Sequence, residues 1–155
     1  MLYKQYQLYN NMVEIMLPKN LKQTDDLFRD YLWVSEDRQT VISITRGIRE
    51  MDSRELVLRL QDYYLEYQNA VAGFKCLYVK KRMVHRQEFG EMYYESELMG
   101  YKIHNFILLG IFEKREFIMT LQCGEPDKTQ QLHAFNNVME SLKIQERRRE
   151  EDHAD

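Results

Sequence analysis

Between Phe74 and Cys123 the sequence reads FKCLYVKKRMVHRQEFGEMYYESELMGYKIHNFILLGIFEKREFIMTLQC. Apolar and polar residues alternate here with the two-residue period of half-buried strands, and short polar or glycine-containing segments interrupt them. The pattern predicts four strands, Cys76 to Val84, Phe89 to Leu98, Tyr101 to Phe112 and Phe117 to Cys123. Loops this short join antiparallel neighbours, so the four form a meander. Tyr101 to Phe112 is apolar on both faces, with Ile103, Ile107, Leu109 and Ile111 on one and Phe106, Leu108 and Phe112 on the other. Such a strand is covered on both sides and is expected at the sheet centre.

The first two strands of the meander carry opposite charges. Cys76, Tyr78, Lys80 and Arg82 are expected on one face of their strand, with Leu77, Val79 and Met83 on the other. In the next strand Phe89, Glu91, Tyr93, Glu95 and Glu97 oppose Met92, Tyr94 and Leu98. Antiparallel pairing sets Lys80 and Arg82 near Glu91 and Glu95, which predicts a solvated cross-strand ladder rather than a nucleic-acid patch. The formal net charge of −3 agrees, since it provides no global positive field.

Upstream, Tyr3 to Tyr9 and Met12 to Met16 read as a hairpin around Asn10 and Asn11, closed by Pro18, which has no N–H for a ladder. Residues 19 to 29 are weakly patterned and are expected to be a loop, with a turn of helix at Asp25 to Phe28. Tyr31 to Val34 and Thr40 to Ile48 form a second predicted hairpin, with Ile42, Ile44 and Arg46 on one face; Trp33 is expected as a core or rim anchor. Two helices follow from 3.6-residue periodicity. Asp52 and Glu55 have capping-box spacing ahead of a stripe of Leu56, Leu60, Tyr63, Tyr64, Tyr67 and Val71, stopped by Gly73. Asp127, with Gln130 three residues on, is read as the cap of the second, whose buried stripe is Leu132, Phe135, Val138, Met139 and Leu142.

Runs of strands separated from helices give an α+β class: an antiparallel β-sheet flanked by helices. One domain is expected over residues 1–144, followed by a charged, disordered tail over 145–155. Two segments carry a resemblance. Val13 to Pro18 (VEIMLP) resembles the early strand-then-proline entry of the PsbP/Mog-like fold, and Phe135 to Ile144 (FNNVMESLKI) resembles its closing helix and Ser-hydrophobe-Lys-Ile finish. The chain departs from that pattern at Asn20–Leu21, where Gly-Trp often stands, and in lacking the export signal common among members. The resemblance implies an α/β/α sandwich and a history of binding partners, but no partner-contact motif matches residue by residue.

The chemistry is sparse. His85, His104, His133 and His153 stand in no zinc-ligand spacing, and there is no nucleophile elbow or glycine-rich phosphate loop. No catalytic, cofactor or metal residue is therefore assigned. Cys76 and Cys123 are expected as buried free thiols, and a Cys123–His104 dyad lacks an orienting group. The N-terminus has no uninterrupted apolar segment and the longest apolar run, Phe106 to Phe112, is too short to span a membrane, so a cytoplasmic location is expected. Against two Pro and six Gly, the eleven Tyr and nine Met are the compositional skew, and both types adapt well to protein surfaces. The sequence thus predicts a non-catalytic interaction or accessory domain with a protein partner or self-association, through Lys80, Arg82, Tyr93, Tyr94 and Tyr101. The alternative is a small-molecule pocket, possibly an enzyme's, between helices and sheet, lined by Tyr63, Tyr67 and Phe106.

Overall fold

The computed structural model describes residues 2–125 and 128–145. Its main element is a seven-stranded antiparallel sheet. The strands are β3 (Leu21–Thr24), β4 (Tyr31–Ser35), β5 (Thr40–Glu50), β6 (Lys75–Val84), β7 (Gln87–Leu98), β8 (Tyr101–Phe112) and β9 (Arg115–Gly124), in the order β3-β4-β5-β9-β8-β7-β6. The meander β6 to β9 forms as the alternation requires, and β9 then receives β5, pairing Thr40 with Cys123 through Arg46 with Phe117. That long-range pairing makes β9 the middle strand. β8, expected at the centre, stands one place to the side.

A second, three-stranded sheet holds β1 (Tyr3–Leu8), β2 (Val13–Pro18) and β10 (Lys143–Ile144). Two helices complete the fold, α1 (Leu56–Ala70), entered through a 3₁₀ turn at Ser53–Glu55, and α2 (Lys128–Ser141). The expected capping box is formed: the Asp52 carboxylate accepts the Arg54 N–H and the Glu55 carboxylate accepts that of Asp52. The cap assigned to Asp127 and the tail from residue 146 lie outside the described residues.

Strand alternation sorts the core into two clusters, one on each face of the main sheet. On the front face, Trp33, Ile42, Ile44, Phe89, Phe106, Leu108, Phe117, Met119 and Leu121 pack against Val13, Ile15 and Leu17 of the small sheet and Phe135, Val138, Met139 and Leu142 of α2. On the back face, Met92, Ile107 and Leu109 pack against Leu56 and Leu60 of α1. The helices do lie on opposite faces, but α2 shares its layer with the small sheet, so the molecule is more sheet-rich than a plain α/β/α sandwich.

Residues 19–29 are not all loop. Leu21–Thr24 pairs with Leu32 to Ser35, and its one apolar residue, Leu21, is buried. A four-residue edge strand with a single inward side chain leaves no periodicity to read. The helical turn expected at Asp25 to Phe28 is a side-chain-capped bend instead, in which the Asp26 carboxylate accepts the N–H groups of Phe28 and Arg29.

Candidate functional site

The charged strand pair forms in register, Lys80 opposite Glu91 and Arg82 opposite Phe89, but it is not a solvated ladder. Glu91 is completely buried. Its carboxylate accepts hydrogen bonds from the Tyr78 hydroxyl and from Arg82 Nε, with Lys80 Nζ at 3.8 Å. The reason is α2, which crosses this part of the sheet and supplies Asn136, 3.0 Å from Arg82 Nη2, and Glu140, 2.5 Å from Nη1. Arg82 therefore bridges a buried carboxylate below and two helix side chains above. Burial, followed by the hydrogen bond to Glu91, holds the Tyr78 hydroxyl far above its ordinary titration range.

One expected face assignment is overturned. The pairing register shifts between Cys76 and Tyr78, so Leu77 occupies a bulge. Cys76 joins Val79 in the α1 cluster, while Leu77 is left exposed. An extra residue in one strand inverts every side chain beyond it, and alternation alone cannot show where that residue sits. The two cysteines are free thiols as expected; Cys123 is buried and Cys76 only partly.

Near the other end of the front face lies a second polar group. His104 is fully buried and pairs across the sheet with both Glu95 and Cys123. Both ring nitrogens are engaged: Nδ1 lies 2.8 Å from the Tyr93 hydroxyl and 3.8 Å from the Glu95 carboxylate, and Nε2 lies 3.1 Å from Glu125. Both nitrogens are thus occupied, and neither can serve as a base for Cys123. Burial, and then the charge of Glu125, push the Cys123 thiol up to about 11, the wrong direction for a nucleophile.

The five residues expected to form one surface do not lie together. Tyr93 stacks on Phe106 at 4.5 Å on the front face, whereas Tyr94 packs against Tyr67 and Phe74 on the back. Arg82 is mostly buried, and Lys80 and Tyr101 are exposed. The expected pocket fails for the same reason, because the sheet separates Tyr63 and Tyr67 from Phe106. A cleft of about 870 Å³ opens instead where the start of α1, the β6–β7 and β8–β9 turns and β10 converge, with Met51, Phe89, Ile111 and Ile144 among its lining residues.

At the opposite end of the sheet, the β7–β8 turn presents apolar side chains to solvent: Leu98, Met99 and Tyr101 are 64%, 91% and 75% exposed. Met99 and Gly100 both have positive φ, as a two-residue hairpin turn requires, and methionine adopts that conformation at a cost. Leu98 and Met99 were missed in the sequence, although an apolar residue at the first position of such a turn, where Asn is usual, is a readable signal.

Several tyrosines tie the two faces to pH. Burial, the first cause in each case, moves Tyr63, Tyr93 and Tyr94 up to about 12, and Tyr63 also donates its hydroxyl to the buried Glu116 at 3.1 Å. A phenol whose folded pKa exceeds its unfolded value of about 10 contributes stability below pH 10 and loses it as pH rises toward 12. Alkaline titration followed at 295 nm is expected to show these rings ionising together with loss of the folded circular-dichroism signal. Ionisation near pH 10 with the fold intact would show that the rings are not sequestered.

A scan of protein-family models finds none that matches the chain, and a search of curated proteins finds no match. Among solved structures, cyanobacterial PsbP from Synechocystis superposes with a TM-score of 0.65 at 11% identity, covering 92% of each chain. The Ran-binding protein Mog1p of Saccharomyces cerevisiae gives 0.62 at 9%, covering 93% of this chain and 96% of that one. LpqN of Mycobacterium tuberculosis, involved in cell envelope biogenesis, gives 0.60 at 12%, covering 94% and 91%. At these identities the likeness establishes architecture alone. With its meander, its paired N-terminal hairpin and its closing helix, this chain has the PsbP/Mog-like fold.

Proposed function

We propose that this chain is a non-catalytic interaction or accessory module, a single domain that meets a protein partner in the cytoplasm through the β7–β8 tip. The observation that carries the reading is the cluster of Leu98, Met99 and Tyr101, three large side chains exposed on one short turn. Large side chains on a rigid turn lose little conformational entropy on docking, which suits them as interface anchors. The occupied ring of His104 and the raised thiol pKa of Cys123 support a structural role for this His–Cys pair. A Ran-binding protein and a cell-envelope protein among the similar structures fit a partner-binding scaffold, without supplying this chain's partner.

The test compares affinity capture from the native lysate by the wild-type protein and by a Leu98→Ser, Met99→Ser, Tyr101→Ser variant. Exposed substitutions of this kind shift stability by no more than about 0.5 kcal/mol, so the variant is expected to remain folded. Proteins retained by the wild type and lost by the variant support the reading. Identical capture by both, or no specific capture by either, counts against it.

A further inference from the structure

The end of the sheet opposite the β7–β8 tip carries two features that complement one another. The first is a knob. Leu27 and Phe28, 93% and 86% exposed, project from the bend between β3 and β4. The bend is fixed by Asp26, which accepts the Phe28 N–H at 3.0 Å and the Arg29 N–H at 2.7 Å, with the Arg29 guanidinium 3.5 Å away. The knob is therefore held out in solvent rather than left to collapse; Asp25 flanks it, while the Asp30 carboxylate is taken up by the Tyr9 hydroxyl and the Arg46 N–H, and Asp26 by Arg29.

The second is the cleft of about 870 Å³ at the β6–β7 and β8–β9 turns. Met51, Phe89, Ile111 and Ile144 supply its apolar lining, and Arg86 and Lys114 also line it, each at the second position of a two-residue turn with positive φ. Among the described residues neither enters an ion pair. Two of the acids lining the cleft are engaged, Asp52 by Arg54 at 3.1 Å and Glu113 by Arg46 at 3.1 Å, which leaves Glu88 against two cations. Apolar lining beside the two cations fits an apolar knob flanked by the Asp25 carboxylate.

We propose that this chain self-associates as a two-fold dimer in which the Leu27–Phe28 knob of each copy seats in the cleft of the other. The strand order supplies the geometry. The knob lies between the first two strands of the β3-β4-β5-β9-β8-β7-β6 order, and the cleft between the fourth and seventh, at the same end of the sheet. A two-fold axis normal to the sheet near the ends of β5 and β9 carries each knob onto the partner's cleft, giving one isologous interface with two identical contacts. Ile48, on β5 close to that axis and 92% exposed, then meets its own copy.

Light scattering coupled to size exclusion, over a roughly hundredfold concentration range, reads the dimer and its dissociation constant. Phe28→Ala is expected to weaken the dimer about 30-fold, the effect of losing a central anchor. Arg86→Glu with Lys114→Glu is expected to disperse it, and adding Asp25→Lys to that pair is expected to recover part of the affinity. All four positions are exposed, and circular dichroism confirms that each variant is folded. A monomer at every concentration overturns the proposal, as does a dimer indifferent to Phe28→Ala and to the charge reversals. The serine variant of the β7–β8 tip is expected to dimerise like the wild type, so the two readings fail separately.

Discussion

Replacing Arg82 by alanine is expected to remove about 3–5 kcal/mol of folding stability, most of what a protein of this size has to spare. The argument rests on where Glu91 sits. Its carboxylate is fully buried, and Arg82 is the guanidinium that neutralises it while also holding Asn136 and Glu140 of α2. Lys80 cannot substitute, since its ammonium is 3.8 Å away at the solvent edge. Deleting Arg82 leaves a buried charge with one neutral donor, Tyr78, and removes two links between sheet and helix. Replacing both partners, Arg82→Leu with Glu91→Leu, is expected to recover most of the loss, because the desolvation cost goes with the charges. Urea denaturation of the two variants measures both. If Arg82→Ala costs under about 1 kcal/mol, water reaches Glu91 and the pair is a surface bridge after all.

That buried pair marks where the sequence could be read and where it could not. Strand alternation located β4 to β9 and the faces of β5, β7 and β9, because most of the inward residues are apolar and each strand is long enough to count, even with Ser43, Glu91 and Glu116 buried among them. The stripes of α1 and α2 were legible for the same reason. Lys80, Arg82 and Glu91 were paired correctly but assigned to water, since their cover comes from Asn136 and Glu140, about fifty residues further along. Sequence proximity carries no information about such a lid. The strand β3, the two-residue β10 and the bulge at Leu77 depend on pairing partners rather than on their own pattern.

That Tyr93 and Tyr94 share no surface follows from a rule that was available. Tyr93 and Tyr94 are adjacent in a strand, and adjacent strand residues point to opposite faces. Tyrosine abundance suggested a platform, yet the tyrosines mostly fill half-buried positions: Tyr63, Tyr64 and Tyr67 of α1 packed on the back cluster, and Tyr78 and Tyr93 beside α2. What the molecule does expose is aliphatic and aromatic side chains on turns, at both ends of the sheet. Those positions have no periodicity and are recognised only once the turns are known.

The second large effect is expected at Phe135, where truncation to alanine should cost about 3–5 kcal/mol. Phe135 is fully buried, with its ring edge-on to Phe106 at 6.0 Å, and Phe106 stacks in turn on Tyr93. The ring thus fills the space between α2 and the centre of the front face, and neither element can close the gap without breaking β-sheet pairing. The denaturation midpoint should fall with an unchanged slope, and Phe135→Leu should be much milder. Combining Phe135→Ala with Arg82→Ala is the sharper experiment. Both side chains hold the same helix to the same sheet, one through packing and one through the Glu140 and Asn136 contacts. If α2 detaches once either anchor is gone, the double variant loses less than the sum of the two, and amide exchange in α2 becomes fast in both single variants. Strict additivity with α2 protected would mean that the helix is held elsewhere, by Val138, Met139 and Leu142 against the small sheet, and that the Arg82 network only lines its edge.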